Sequence, residues 1–208
     1  MYLEKNSVVV ITGGSSGIGE ALVKLFLERE CMVIIVDKKE GNSPQLQYHY
    51  GSNKCQFYKC DVLDELQVSE LFIKLMERHV RIDFLYNAAA INKFNDDPSL
   101  QPSAKMTRYA CIMMTNQKGA KKDQPYQGVI VDLAQGSKQG VDDVQTNGMC
   151  PVYFRHGIRI INTPFCTFTD SIPQQQLNDI VYSIFKLSIS DQKFTEFLQL
   201  SPIGSPSL

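Results

Sequence analysis

The sequence predicts an α/β fold: a doubly wound parallel sheet with helices on both faces, three layers deep (αβα), truncated in its second half. Three observations predict it. Apolar β-branched runs alternate with segments of helical period, which is the order of βαβ units. The strand-like runs are continuous in apolar character, as strands covered on both faces must be. A glycine-rich turn follows the first run and leads straight into the first helical period. A length of 208 residues suits one well-cored domain, so residues 1–208 are read as one.

Val8 to Ile11 is the first expected strand, and Ile18, Ala21, Leu22, Leu25 and Phe26 then fall on one helical face. Met32 to Val36 reads as the second strand and Gln56 to Lys59 as the third. The next helix turns Val68, Leu71, Phe72, Leu75 and Met76 toward the sheet, and Asp64 with Gln67 resembles a capping box at its start. Ile82 to Tyr86 is the fourth strand and Val129 to Leu133 the fifth. Between them Met106, Tyr109, Ala110, Met113 and Met114 keep the spacing of a buried helix face, so core packing explains this methionine stripe. From Gln135 to Cys150 the apolar pattern lapses and Gly136, Gly140, Asn147 and Gly148 break it, which predicts a loop. Ile158 to Ile161 restores a strand. Leu177, Ile180, Val181, Ile184 and Phe185 make a last amphipathic helix with Pro173 near its start, and Phe197 to Leu200 adds an edge strand.

Charge and composition exclude several function classes. Lysine and arginine number 21 against 22 aspartates and glutamates, so no surface is built to neutralise many phosphates or to sit on an anionic bilayer. Nucleic acid and membrane are not expected as partners. Six cysteines without a CxxC pair and three scattered histidines lack metal-ligand spacing. The cysteines lie in or beside apolar runs and read as reduced thiols packed as small hydrophobes. No run reaches membrane-spanning length, and the first strand begins too early to leave room for a cleavable presequence, so a cytoplasmic location is expected.

The chemistry concentrates after the first strand, in Thr12-Gly13-Gly14-Ser15-Ser16-Gly17-Ile18-Gly19. A strand that ends in this loop and passes into a helix presents backbone N–H groups and a helix N-terminus to an anion, which suits a pyrophosphate. Gly13 permits the tight turn, Gly17 lets phosphate approach the backbone, and Gly19 lets the helix pack on the strand. The spacing is TGxxxGIG, and three glycines so placed arise by chance about three times in ten thousand starts. The chain thereby resembles the short-chain dehydrogenase/reductase family, whose domain is a Rossmann-type dinucleotide-binding fold.

That resemblance assigns further positions. Asp37 ends the second strand, where a carboxylate meets the adenosine ribose and repels a 2′-phosphate, so NAD(H) is expected in preference to NADP(H). Asp61-Val62 matches the pair beside the adenine ring. Asn87-Ala88-Ala89-Ala90 resembles the family's Asn-Asn-Ala-Gly run, and Gly157-Ile158-Arg159-Ile160 its Gly-Ile-Arg-Val strand. Pro164 and Thr169 keep the spacing of the segment that meets the nicotinamide amide, with Phe165 in place of its glycine.

The acid–base residues of the family do not appear in register. Its members use a serine at the end of the fifth strand and a tyrosine and lysine four apart on the next helix. Ala134 and Gln135 occupy the serine positions, and the interval before Gly157 is too short and glycine-rich to rebuild the helix. Ser137, Tyr153 and Tyr182 are the candidate substitutes; Tyr182 is followed four residues later by Lys186. Three readings follow. The first is a dinucleotide-binding protein, catalytically impaired, with a regulatory or interaction role. The second is an active NAD-dependent oxidoreductase of alcohols or ketones with a relocated acid–base group. The third is an interaction protein whose nucleotide loop is a relic of the fold. The missing catalytic helix also leaves the family's usual subunit pairing without one of its elements, so a protein partner or a different homo-oligomer is expected to cover apolar surface.

Overall fold

The apolar runs pair into one parallel sheet of six strands. A computed structural model describes residues 3–89, 102–117, 127–135, 157–165 and 173–189. The strands are β1 (Val8–Thr12), β2 (Met32–Asp37), β3 (Cys55–Lys59), β4 (Phe84–Asn87), β5 (Gly128–Gln135) and β6 (Ile158–Phe165). The helices are α1 (Gly17–Glu28), α2 (Ser43–Tyr50), α3 (Glu65–Arg78), α4 (Pro102–Asn116) and α5 (Gln174–Ile189). The strand order is β3-β2-β1-β4-β5-β6, with every neighbouring pair parallel. The chain thus winds outward from β1 and then returns to β4 on its other side. Such a reversal opens a crevice at the carboxyl ends of β1 and β4, where ligands of doubly wound sheets bind.

Successive side chains of a strand point to opposite faces, and here both faces are buried. Val9 and Ile11 join Leu22, Val23, Phe26, Val181, Ile184 and Phe185 in the layer under α1 and α5. Val8 and Val10 join Val68, Leu71, Phe72, Met106 and Met114 in the layer under α3 and α4. In the first layer Phe26 packs on Tyr86 and Phe185, with ring centroids 5.2 and 5.6 Å apart. The Tyr86 hydroxyl donates to Ser188 Oγ at 2.6 Å and ties α5 to the middle of the sheet. In the second layer Phe72 stacks on Tyr109 at 5.5 Å, and Glu65 accepts from Arg108 Nη2 at 2.6 Å and from Tyr109 Oη at 3.1 Å.

Several expectations shift. Helix α2 carries no apolar period because only Ser43 and Leu46 are buried on it. Met76, expected against the sheet, is 56% exposed on the outer side of α3. Strand β4 starts at Phe84: the Ile82 N–H is taken by Gln117 Oε1 at 3.0 Å, while the Asp83 carboxylate accepts from Val8 N–H at 2.8 Å. The α3 cap forms with a variation on the capping box. Asp64 accepts from the N–H groups of Leu66 and Gln67, but the Gln67 amide donates to the Asp64 carboxylate and accepts from Asp61 N–H. Gln135 closes β5. The expected strand Phe197 to Leu200 and most of the loop from Gln135 to Cys150 lie outside the described residues.

Candidate functional site

The carboxyl ends of β1, β2 and β4 meet at the loop Thr12–Gly19. Thr12 is buried, and its Oγ1 accepts from the N–H groups of Ala88 at 3.1 Å and Ala89 at 3.2 Å. This draws the end of β4 against the start of the loop. Gly13 turns there with φ +66°, where a Cβ would stand 2.7 Å from Ala89 Cα. A Cβ at Gly19 would fall on the carbonyl of Gly13, so the first turn of α1 rests directly on the loop's own backbone. Gly17 differs: φ is +53° and nothing lies within 4 Å of its missing Cβ. The loop is packed tight on the protein side and open at Gly17.

The start of α1 is electrically unfinished. Ser16 is its N-cap and makes no side-chain capping bond. The first N–H groups of a helix have no partner within it and carry the positive end of its dipole. An anion with several acceptor oxygens completes such a terminus. Beside it, the Ser15 hydroxyl oxygen is buried with no hydrogen-bond partner in the structure.

Asp37 leaves β2 facing this loop. Its Oδ2 accepts from Ser15 N–H and its Oδ1 from Lys39 N–H, each at 3.2 Å. The connection to α2 leans on the same place: a Cβ at Gly41 would stand 2.6 Å from the Ser15 carbonyl oxygen, and Asn42 Nδ2 donates to Glu20 Oε1 at 2.9 Å. Lys38 pairs with Asp61 at 3.0 Å, and Asp61 Oδ1 accepts from Leu63 N–H at 2.9 Å. Val62 is buried behind them. Asp37, Asp61 and Val62 thus share one rim of the crevice, with Ala88 and Ala89 across the loop.

Beneath β4 sits a polar group that the strand pattern conceals. Asn87 is buried, and its Nδ2 donates to Thr107 Oγ1 at 3.1 Å and to Asp132 Oδ1. Burial of Asp132 pushes its carboxyl pKa up to about 6, against the lowering by its bonds to Asn87 and Thr107. Thr107 and Asp132 were not singled out from the sequence. The available signal was one acid inside the apolar run Gly128 to Leu133, a position that demands a partner.

Of the remaining candidates, Pro164 lies in β6, paired in register with Ala134. Ser137, Tyr153 and Thr169 fall outside the described residues. Tyr182 is 47% exposed on α5, its ring 6.3 Å from that of Phe185. Phe185 packs on Phe26, which lies nine residues down α1 from Gly17, or about 13 Å along the axis. The four described cysteines, Cys31, Cys55, Cys60 and Cys111, are buried; desolvation raises the first three thiols to about 11, so they pack as apolar groups. No described helix is long and apolar enough to cross a membrane.

Comparison with known proteins agrees with this geometry. A family model described as short chain dehydrogenase matches residues 7–122. Short-chain dehydrogenase reductase 3c of Arabidopsis thaliana is 31% identical over 121 residues, covering 56% of this chain and 44% of that protein. Short-chain dehydrogenase reductase 5 of the same plant is 36% identical over 84 residues, covering 40% and 32%. The chain spans less than half the length of these curated relatives. A solved metagenomic short-chain oxidoreductase in complex with NADP shares the fold, with TM-score 0.67 and 15% identity over 91% of this chain and 94% of that one.

That complex overturns the expected preference for NAD(H) over NADP(H), since a protein of this fold holds NADP. The physical reason lies in Asp37. Both its oxygens already accept backbone N–H bonds, and Lys38 and Lys39 follow it, so an acid at the end of β2 does not by itself reject a 2′-phosphate. With the strand order, the loop and the family match over more than half of its length, the chain belongs to the short-chain dehydrogenase family.

Proposed function

We propose that this chain binds a nicotinamide dinucleotide with its pyrophosphate on the loop Thr12–Gly19, and that it acts as a regulatory or interaction protein, impaired as a dehydrogenase. The observation that carries the first half is the uncapped start of α1 facing the open side of Gly17. The residues fit the group. Ser15 and Ser16 hydroxyls and the N–H groups of Gly17, Ile18 and Gly19 supply donors for phosphate oxygens. Gly13 and Gly19 hold the loop in shape through backbone contacts that any side chain would break. Asp37, Asp61 and Val62 form the adenosine end and Asn87, Ala88 and Ala89 line the other side of the loop; Pro164 and Thr169 are the positions that resemblance to the family assigns to the nicotinamide amide.

A bound dinucleotide supplies or accepts hydride at its nicotinamide ring. Turning that into alcohol or ketone chemistry requires a group that holds a proton at the substrate oxygen. Ala134 and Gln135 close β5 where the family places its serine, and neither side chain exchanges a proton near neutral pH. Losing one well-placed acid–base group lowers the rate by about 10² to 10⁴. Calorimetric titration with NADPH and NADH, followed by a turnover panel of alcohols and ketones, tests both halves. Binding without turnover supports the proposal. Absence of binding removes its first half, and steady turnover that Tyr153→Phe abolishes removes its second.

A further inference from the structure

Thr12, Asn87 and Asp132 stand side by side in the register of β1, β4 and β5, one residue from each strand. Neighbouring strands lie about 4.8 Å apart, so Asp132 is about 10 Å from the first residue of the loop. All three share the alternation of Val10, Leu85 and Ile130, which turns them toward the α3–α4 layer, where Thr107 of α4 meets Asn87. Hydrogen bonds link the row as well. Asp132 accepts from Asn87 Nδ2, and the next two residues, Ala88 and Ala89, give their N–H groups to Thr12 Oγ1. The backbone of Ala89 in turn fills the space beside Gly13, where a Cβ would stand 2.7 Å from its Cα. A change of charge on Asp132 therefore reaches the floor of the loop through one residue, Asn87.

We infer, on the dinucleotide reading of the loop, that the dinucleotide binds together with a proton on Asp132, so that affinity falls as pH rises. A pyrophosphate is anionic, and Asp132 is a buried acid that salt and solvent screen poorly. With both ionised, like charges face each other across two strands; with Asp132 protonated, that repulsion is gone. Burial brings the exchange into an ordinary pH range, since it lifts the carboxyl pKa to about 6. Two unit charges about 10 Å apart in a protein shift one another by roughly one pKa unit. A dinucleotide on the loop therefore raises the pKa of Asp132 further and takes up a proton as it binds. The elements around Asp132 bring other ionisable groups. On α4, Lys105 and Arg108 pair with Glu65, Tyr109 donates to the same carboxylate, and Cys111 lies one turn beyond Thr107. Tyr86 of β4 turns to Ser188 on the opposite face, and Asp83, before β4, pairs with Arg81. On β6, Arg159 is in register with Val129 near the amino end of β5, and the register partner of Asp132 is the neutral Asn162. His79 lies against Gln56, before the amino end of β4.

Isothermal calorimetry of the full chain with NADH and with NADPH, from about pH 5.5 to 8 and in two buffers of different ionisation enthalpy, counts that proton. The expected result is uptake of up to about half a proton near pH 6.5 and a Kd that rises roughly five- to tenfold across the range. Asp132→Asn is neutral at every pH. It should bind as the wild type does at the acid end and show a flatter profile, and titration of the ligand's own phosphates cancels in the comparison. Thr107→Val removes a donor from the carboxylate and should move the midpoint of the profile to higher pH. His79→Gln should leave the profile unchanged. Equal pH dependence in the wild type and Asp132→Asn overturns the inference while dinucleotide binding stands, as does a profile that His79→Gln flattens. Binding of neither dinucleotide at any pH removes the reading of the loop, and the inference with it. Circular dichroism verifies that each variant is folded; if Asp132→Asn is not, the midpoint in Thr107→Val decides the matter, and an unmoved midpoint also overturns it.

Discussion

Replacing Asp132 by asparagine removes a pH-dependent contribution to stability whose size the structure sets. The carboxyl group is buried under β4 and α4, and its hydrogen bonds come from the neutral side chains of Asn87 and Thr107. Desolvation therefore dominates and lifts its pKa from 3.8 to about 6. Between those values the folded chain keeps a proton that the unfolded chain has released. The resulting stabilisation is full below the unfolded pKa and is lost as pH rises through the folded one. A shift of about two units corresponds to about 3 kcal/mol. For a domain of this size that is about 6 to 12 °C in melting midpoint. Urea denaturation of both proteins at several pH values from about 3 to 7.5 isolates the effect, because the other carboxylates cancel in the difference. Asp132→Asn should nearly match the wild type at the acid end and exceed it by about 3 kcal/mol at the neutral end. A difference that stays flat with pH, or one that shrinks toward neutrality, would refute the reasoning.

Three further outcomes follow from the same contacts. Thr12→Val keeps the shape of the side chain but strands the N–H groups of Ala88 and Ala89, and should lower unfolding free energy by about 2 kcal/mol in denaturant titration. Gly19→Ala drives a methyl into the Gly13 carbonyl and should cost about 3 kcal/mol or more, whereas Gly17→Ala meets only the strain of a positive φ, about 1 kcal/mol, while weakening dinucleotide binding. His79 is buried with its Nε2 3.2 Å from Gln56 Oε1, and burial, then the charge of Arg78, lowers its pKa below 6.5. The unfolded chain takes up that proton first, so the stability held above the unfolded pKa is lost as pH falls through it. In His79→Gln the decline below about pH 6.5 should be shallower in thermal melts.

Elements with a dense apolar period were legible in the sequence. Strands β1, β2, β3, β5 and β6 and helices α1, α3, α4 and α5 all begin within a few residues of the expected places, because each buries a continuous row of side chains. Helix α2 was not legible, since Leu46 is its one buried apolar residue. Met76 sits one position past the sheet-facing line of α3, where a hydrophobicity pattern does not distinguish an inward from an outward side chain. The loop Thr12–Gly19 was readable because backbone geometry leaves glycine no substitute there. Cofactor preference was not, because the sequence names Asp37 without showing that Ser15 and Lys39 engage its carboxylate. The group Asn87, Thr107 and Asp132 joins residues 20 and 45 positions apart, a proximity that only the folded sheet reveals.

The most direct test of dinucleotide binding at this loop is a thermal-shift titration of the full chain with NADPH, NADP⁺, NADH and NAD⁺, run beside Gly17→Asp. A ligand at about 100 times its dissociation constant adds about 2.7 kcal/mol, which for this chain length raises the midpoint by about 5 to 11 °C. The account predicts such a rise with at least one dinucleotide and its loss in Gly17→Asp, where a carboxylate would face the pyrophosphate. No rise with any of the four, or a rise that Gly17→Asp leaves intact, would contradict it.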